Sequence, residues 1–151
     1  MGLDMYLYEN RYITEATAEL EPEALEAIKK ALGAERLAGG FVASVKFEVA
    51  YWRKANQVHR WFVDNVQDGT DAGQTVDVSD DQLRELRNLA QEVLDDHKLA
   101  EDLLPTQEGF FFGDTGYDEF YFTDLEDTVK QLDVALEQKH KYGDFSYHAS
   151  W

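Results

Sequence analysis

Two hydrophobic periods alternate along the chain. Residues 3–8 (LDMYLY) form a short apolar and aromatic run that reads as a strand. Leu25, Ile28 and Leu32 then recur at helical spacing between Pro22, a good first helical residue, and Gly33, a good stop. That predicts a helix over residues 21–32, followed by a break at Gly39 and Gly40. Phe41, Ala43, Val45, Phe47, Val49 and Tyr51 alternate with Val42, Ser44, Lys46, Glu48 and Ala50, the period-2 signature of a half-buried strand. The period then changes. Tyr51, Ala55, Val58, Phe62 and Val66 share one helical stripe and predict a helix over residues 52–66.

Residues 68–74 are polar, contain two Gly, and read as a loop. Ser79 and Gln82 make a capping box ahead of Leu83, Leu86, Leu89, Ala90, Val93 and Leu94, the apolar stripe of another helix. A short helical piece is expected over residues 98–104, before Pro105. Phe110, Phe111 and Phe112, and then residues 117–122, flank Gly113-Asp114-Thr115-Gly116, which predicts a hairpin. Seven of the thirteen residues from 110 to 122 are Phe or Tyr, so that hairpin would be buried on both faces or would expose aromatic surface. Thr123 with Glu126 makes a second capping box for a last helix carrying Leu125, Val129, Leu132 and Leu136. Phe145, Tyr147, Ala149 and Trp151 alternate again as a closing strand. These elements predict one α+β domain over residues 1–151, a mostly antiparallel sheet with about four helices packed on one face.

Charge sharpens this picture. Residues 61–128 hold 19 Asp and Glu but only Arg84, Arg87 and Lys98, a net of −16, whereas the other 83 residues are nearly neutral. The acidic part follows a small basic island of Lys46, Arg53, Lys54 and Arg60, a dipolar layout that permits self-association. A net charge of −17 disfavours direct nucleic-acid binding. It suits a protein partner with a basic surface, for which Asp80, Asp81, Glu85, Glu92, Asp95 and Asp96 are the candidate contacts. The absence of Cys excludes a disulfide framework and a thiol nucleophile. No apolar run approaches the ~20 residues of a membrane span, and the first residues lack a signal-peptide pattern, so a cytoplasmic protein is expected.

Little else points to chemistry. On the 52–66 helix, Trp52, Arg53, Asn56, His59 and Arg60 fall on contiguous surface beside the buried stripe. His can act as a base and Arg can hold a phosphate or carboxylate, so these five are the candidate site for a nucleotide-like anion. The competing account is an amphipathic helix with a boundary His and solvated Arg. An EF-hand loop starting at Asp64 fails at Val66 and Thr75. Asp114, Asp118 and Glu119 offer oxygen ligands, but turn chemistry explains Asp114 equally well. No zinc spacing, P-loop, dinucleotide fingerprint or nucleophile elbow occurs. No metal, cofactor or catalytic residue is therefore expected.

Four segments carry a resemblance: MGLDMYLYENRY, EVAYWRKANQVHRWFVDNVQ, LLPTQEGFFFGDTGYDEFYFTDLEDT and FSYHASW. With the Trp-Arg-Lys-Ala-Asn-x-x-His-x-Trp pattern from Trp52 to Trp61, the chain resembles a family of small proteins of bacteriophages and bacterial genomes. The resemblance implies a phage or prophage product in the bacterial host cytoplasm. It implies no activity and carries no site residues.

Together these observations favour a non-enzymatic acidic protein that engages a basic surface of a host or phage protein, such as a defence or nucleic-acid-handling complex. The second reading is anion binding or hydrolysis at residues 52–60.

Overall fold

The computed structural model describes residues 2–13, 22–36 and 42–151. Glu21, Gly39, Gly40 and Phe41, on which the expected helix start, break and strand start fall, lie outside the described residues. The architecture is α+β. Strands β1 (Asp4–Tyr12), β2 (Ser44–Arg53), β3 (Val76–Val78) and β4 (Gly143–Ser150) form one antiparallel sheet in the order β2-β1-β4-β3. The helices are α1 (Pro22–Ala31), α2 (Asn56–Asn65), α3 (Asp80–Asp95), α4 (Ala100–Leu103) and α5 (Glu119–Gln138), with a 3-10 turn at His97–Leu99.

The central strands alternate as a half-buried sheet requires. Leu3, Met5 and Leu7 face inward from β1 and its approach, and Phe145, Tyr147 and Ala149 face inward from β4; all are buried. Val58 and Phe62 of α2, Leu83, Leu86, Ala90 and Val93 of α3, and Leu125, Val129 and Leu132 of α5 cover that face and complete one core. At its centre the rings of Phe62 and Tyr147 stack with centroids 3.8 Å apart. The opposite face carries Tyr6, Tyr8, Tyr51 and His148 as neighbouring rings, with the Lys46 ammonium 3.8 Å above Tyr8.

Three expectations are corrected. Leu7 pairs with Ala50 but Tyr8 pairs with Glu48, so Val49 is the extra residue of a β-bulge. The bulge reverses the faces of β2. Tyr51 pairs with Tyr6 on the outer face, and Trp52 pairs with Met5 inside. Tyr51 and Trp52 therefore belong to the strand, and the helix begins only at Asn56.

The predicted aromatic hairpin is not formed. Residues 105–118 are irregular, and Phe120, Tyr121 and Phe122 lie in the first turns of α5. The Asp118 carboxylate accepts hydrogen bonds from the amides of Phe120 (3.0 Å) and Tyr121 (3.2 Å), capping the helix. Tyr121 then heads a buried stripe continued by Leu125, Thr128, Val129 and Leu132. Thr123 is accordingly inside the helix, its hydroxyl donating to the Glu119 carbonyl, and makes no capping box with Glu126. The box at Ser79 and Gln82 is present in full.

Candidate functional site

The turn between β2 and α2 is held by unusual backbone. Lys54 has φ of +60°, the left-handed region, which costs a side-chain-bearing residue about 1 kcal/mol or more. Its amide donates to the Leu3 carbonyl at 2.8 Å, while the Leu3 amide donates to the Phe111 carbonyl. Leu3, at the start of β1, thus ties this turn to the irregular segment at Phe111.

Asn56 is buried and uses its whole amide. It donates to the carbonyls of Phe112 (3.1 Å) and Asp114 (2.8 Å) and accepts from the Gln107 amide (2.9 Å). It thereby moulds residues 107–114 into a wall against the end of β2. Gly113 completes the wall with φ of +90°, and a Cβ there would approach the Lys54 Cβ to 3.2 Å. A larger residue would meet both a backbone penalty and a close contact.

Between this wall and α5 lies a cleft of about 440 Å³. Arg53 and Lys54 form one side, and Gly113, Asp114 and Gly116 another. Asp118, Phe120, Tyr121 and Asp124 of α5 and its cap line the third, with Gln57 of α2 among them. Gln57 is only 2% exposed, and its amide donates to the Asp124 carboxylate at 3.3 Å. Phe120 is 79% exposed. Asp114 and Asp118 are occupied structurally, accepting from the amides of Gly116 and of the first α5 turn.

Burial pushes the Asp124 carboxyl up to about 6; the Gln57 hydrogen bond opposes this, and the nearby Asp127 and Asp118 charges add to it. The folded chain therefore holds this proton to about pH 6, the unfolded chain only to about 3.8. Stability falls as pH rises through that window, and the deficit persists above it. Asp124→Asn is expected to raise the unfolding free energy at pH 7 by on the order of 1 kcal/mol, allowing for partial exposure. It should give no gain near pH 3. Urea titrations at the two pH values check this.

The five residues proposed from sequence share no described cavity. Trp52 is buried and donates from its indole to the Thr128 hydroxyl at 2.9 Å. Arg53 lines the cleft, at 3.9 Å from the Asp4 carboxylate. Asn56 is the loop anchor just described. Arg60 donates to the Thr106 carbonyl at 2.9 Å and stands 3.6 Å from Asp64. His59 is wholly buried, with Nδ1 2.8 Å from the Tyr147 hydroxyl and Nε2 3.0 Å from the Asp71 carboxylate. Burial holds the Tyr147 hydroxyl well above its ordinary range, so it stays protonated. The arrangement that uses every hydrogen has Tyr147 donating to Nδ1 and Nε2–H donating to Asp71. This chain ties the 67–74 loop and β4 to α2.

The acids of α3 divide by direction. Asp80 receives Lys139 at 2.7 Å, and Asp96 caps the 3-10 turn through the Lys98 amide. Asp81 pairs with Arg84, and Asp95 accepts from Gln91. Glu85 and Glu92 are exposed and have no ion-pair partner among the described residues.

Gln57, Asp71, Gly113, Asp124 and Tyr147 were not among the expected site residues. Their roles arise from contacts distant in sequence, and no local motif marks them. Among the described residues no group of three His, Asp or Glu side chains could hold a metal. No described helix is long and apolar enough to cross a membrane. Compared with protein-family models, curated proteins and solved structures, the chain matches none.

Proposed function

We propose that this chain is a non-catalytic, phage-associated binding protein whose acidic helical layer engages a basic surface of another protein in the bacterial cytoplasm. One observation carries the reading. Asp81, Glu85, Asn88, Glu92 and Asp95 are all exposed and recur every three or four residues, so they form one row along the solvent side of α3. The row spans about 21 Å at 1.5 Å per residue. Exposed Glu101 and Asp102 of α4 follow it in the chain.

Three nearby cations are engaged within the fold. Arg84 meets Asp80 and Asp81, Arg87 meets Asp133 at 2.7 Å, and Lys139 meets Asp80. Arg84 offsets Asp81, so Glu85, Glu92 and Asp95 carry the row's unbalanced negative field, which attracts and orients a basic partner. Four carboxylates over about 21 Å are sparser than the roughly six phosphates of one DNA strand over that length. The spacing therefore favours recognition of a basic protein surface over a strict copy of the DNA backbone. A partner whose basic groove handles nucleic acid, in a host defence or replication complex, has the complementary chemistry.

Such attraction is screened over about 8–10 Å at 0.1–0.15 M salt. Capture from a bacterial lysate on the immobilised protein should enrich proteins with basic nucleic-acid-binding surfaces at about 50 mM salt. It should lose most of them at about 500 mM. Enrichment that is indifferent to salt, or the absence of basic partners, would refute the reading.

A further inference from the structure

We propose that the cleft between the end of β2 and the start of α5 binds a small aromatic zwitterion, of the amino-acid type. Arg53 and Lys54 would take its carboxylate, Asp124 its ammonium, and Phe120 its ring.

The lining is bipolar, and each part is available. Arg53 and Lys54 are both exposed; Arg53 has only a 3.9 Å contact to Asp4, and Lys54 has no ion pair among the described residues. Asp114 and Asp118 each spend one carboxylate oxygen on the turn and the helix cap and are solvent-exposed, whereas Asp124 is half-buried, where an ionic contact is screened less. Asp124 accepts from Gln57 through one carboxylate oxygen at 3.3 Å, which leaves the other oxygen to meet a ligand donor. A carboxylate on the α5 side and two cations on the β2 side match a molecule with opposite charges at its two ends. Phe120 places an apolar ring at the same cleft with 79% of its surface exposed. A volume of about 440 Å³ lies within the range of about 300–1,000 Å³ usual for small-molecule sites.

The site also predicts a pH response. Asp124 is faced by Asp118 and Asp127 of its own helix and cap, Gln57 of α2, Arg53 and Lys54 at the end of β2, and Asp114 of the loop wall. Only its ionised form attracts an ammonium. With the carboxyl titrating at about 6, the ionised fraction rises roughly tenfold between pH 5 and pH 7. Affinity should rise by up to that factor.

The test is isothermal titration of the full chain with three probes: L-phenylalanine, 3-phenylpropionate, which lacks the ammonium, and phenethylamine, which lacks the carboxylate. The expected result is saturable binding of L-phenylalanine, at least tenfold tighter than either half-ligand. Asp124→Asn should reduce L-phenylalanine binding to the level of 3-phenylpropionate and leave 3-phenylpropionate unchanged. Arg53→Gln should weaken the two carboxylates and spare phenethylamine. Circular dichroism confirms that each variant is folded, and unchanged binding of the spared probe makes the same point. No saturable L-phenylalanine binding at 10 mM, or equal binding to wild type and Asp124→Asn, would overturn the proposal.

Discussion

Replacing His59 with Ala lowers the unfolding free energy by about 3–5 kcal/mol, a large share of the 5–15 kcal/mol that holds an ordinary domain together. The ring is fully buried and makes edge contact with Phe112 at 5.2 Å between centroids; Trp151 lies 5.6 Å away. Its loss leaves a cavity that these neighbours fill only in part. It also strands the Tyr147 hydroxyl, which is buried, and removes the donor to Asp71, whose second carboxylate oxygen is already buried without a partner. Tyr147→Phe is the milder test. It keeps the stack on Phe62 and removes only the donor to Nδ1, so it costs about 1–2 kcal/mol. Urea unfolding separates the two variants by midpoint at unchanged slope. A His59→Ala loss under 1 kcal/mol would mean that the Tyr147–His59–Asp71 chain is not a structural tie.

Asn56→Ala costs about 2–3 kcal/mol, because three hydrogen bonds of one buried side chain disappear together. The loss is also local. The Phe112 and Asp114 carbonyls and the Gln107 amide lose the side chain that holds the loop wall, with Gly113, against Lys54. Amide exchange should therefore quicken over residues 107–116 by more than over α3. Uniform quickening across the chain would show that Asn56 supports the whole fold and not the cleft wall in particular.

Much of the architecture is legible in the sequence, and the failures have identifiable causes. The alternation in residues 3–8 and 145–151 marks the two central strands because each buries one face. The Ser79 box and Leu stripe mark α3 because both signals are local. The bulge at Val49 is invisible to a strict period-2 reading, and it moves Tyr51 from the expected helix stripe to the outer sheet face. The run 120–122 has strand-forming aromatics, yet the Asp118 cap and burial of Tyr121 against the core make it helical. Strand β3 spans only Val76–Val78, too short for any periodicity to show.

The site was less legible. Helical geometry grouped Trp52, Arg53, Asn56, His59 and Arg60 on one flank. The fold instead assigns Trp52, Asn56 and His59 to buried contacts with Thr128, the 107–114 loop, and Tyr147 with Asp71. Asp124 is one acid among many in an acidic segment, and only the buried Gln57 and the cleft distinguish it. The outward row on α3 was half visible: its spacing is in the sequence, but which acids are tied to Arg84, Lys139 or a cap depends on tertiary contacts.

The acidic-layer account is tested most directly by comparing two variants of equal net charge in the lysate capture. One neutralises the layer (Glu85→Gln, Glu92→Gln, Glu101→Gln, Asp102→Asn), and the other neutralises four exposed acids elsewhere (Glu23→Gln, Glu48→Gln, Asp77→Asn, Asp144→Asn). The account predicts that the first variant loses the salt-sensitive basic partners while the second retains them. Equal loss by both would show that net charge alone attracts them, and equal retention would show that the layer is not the contact.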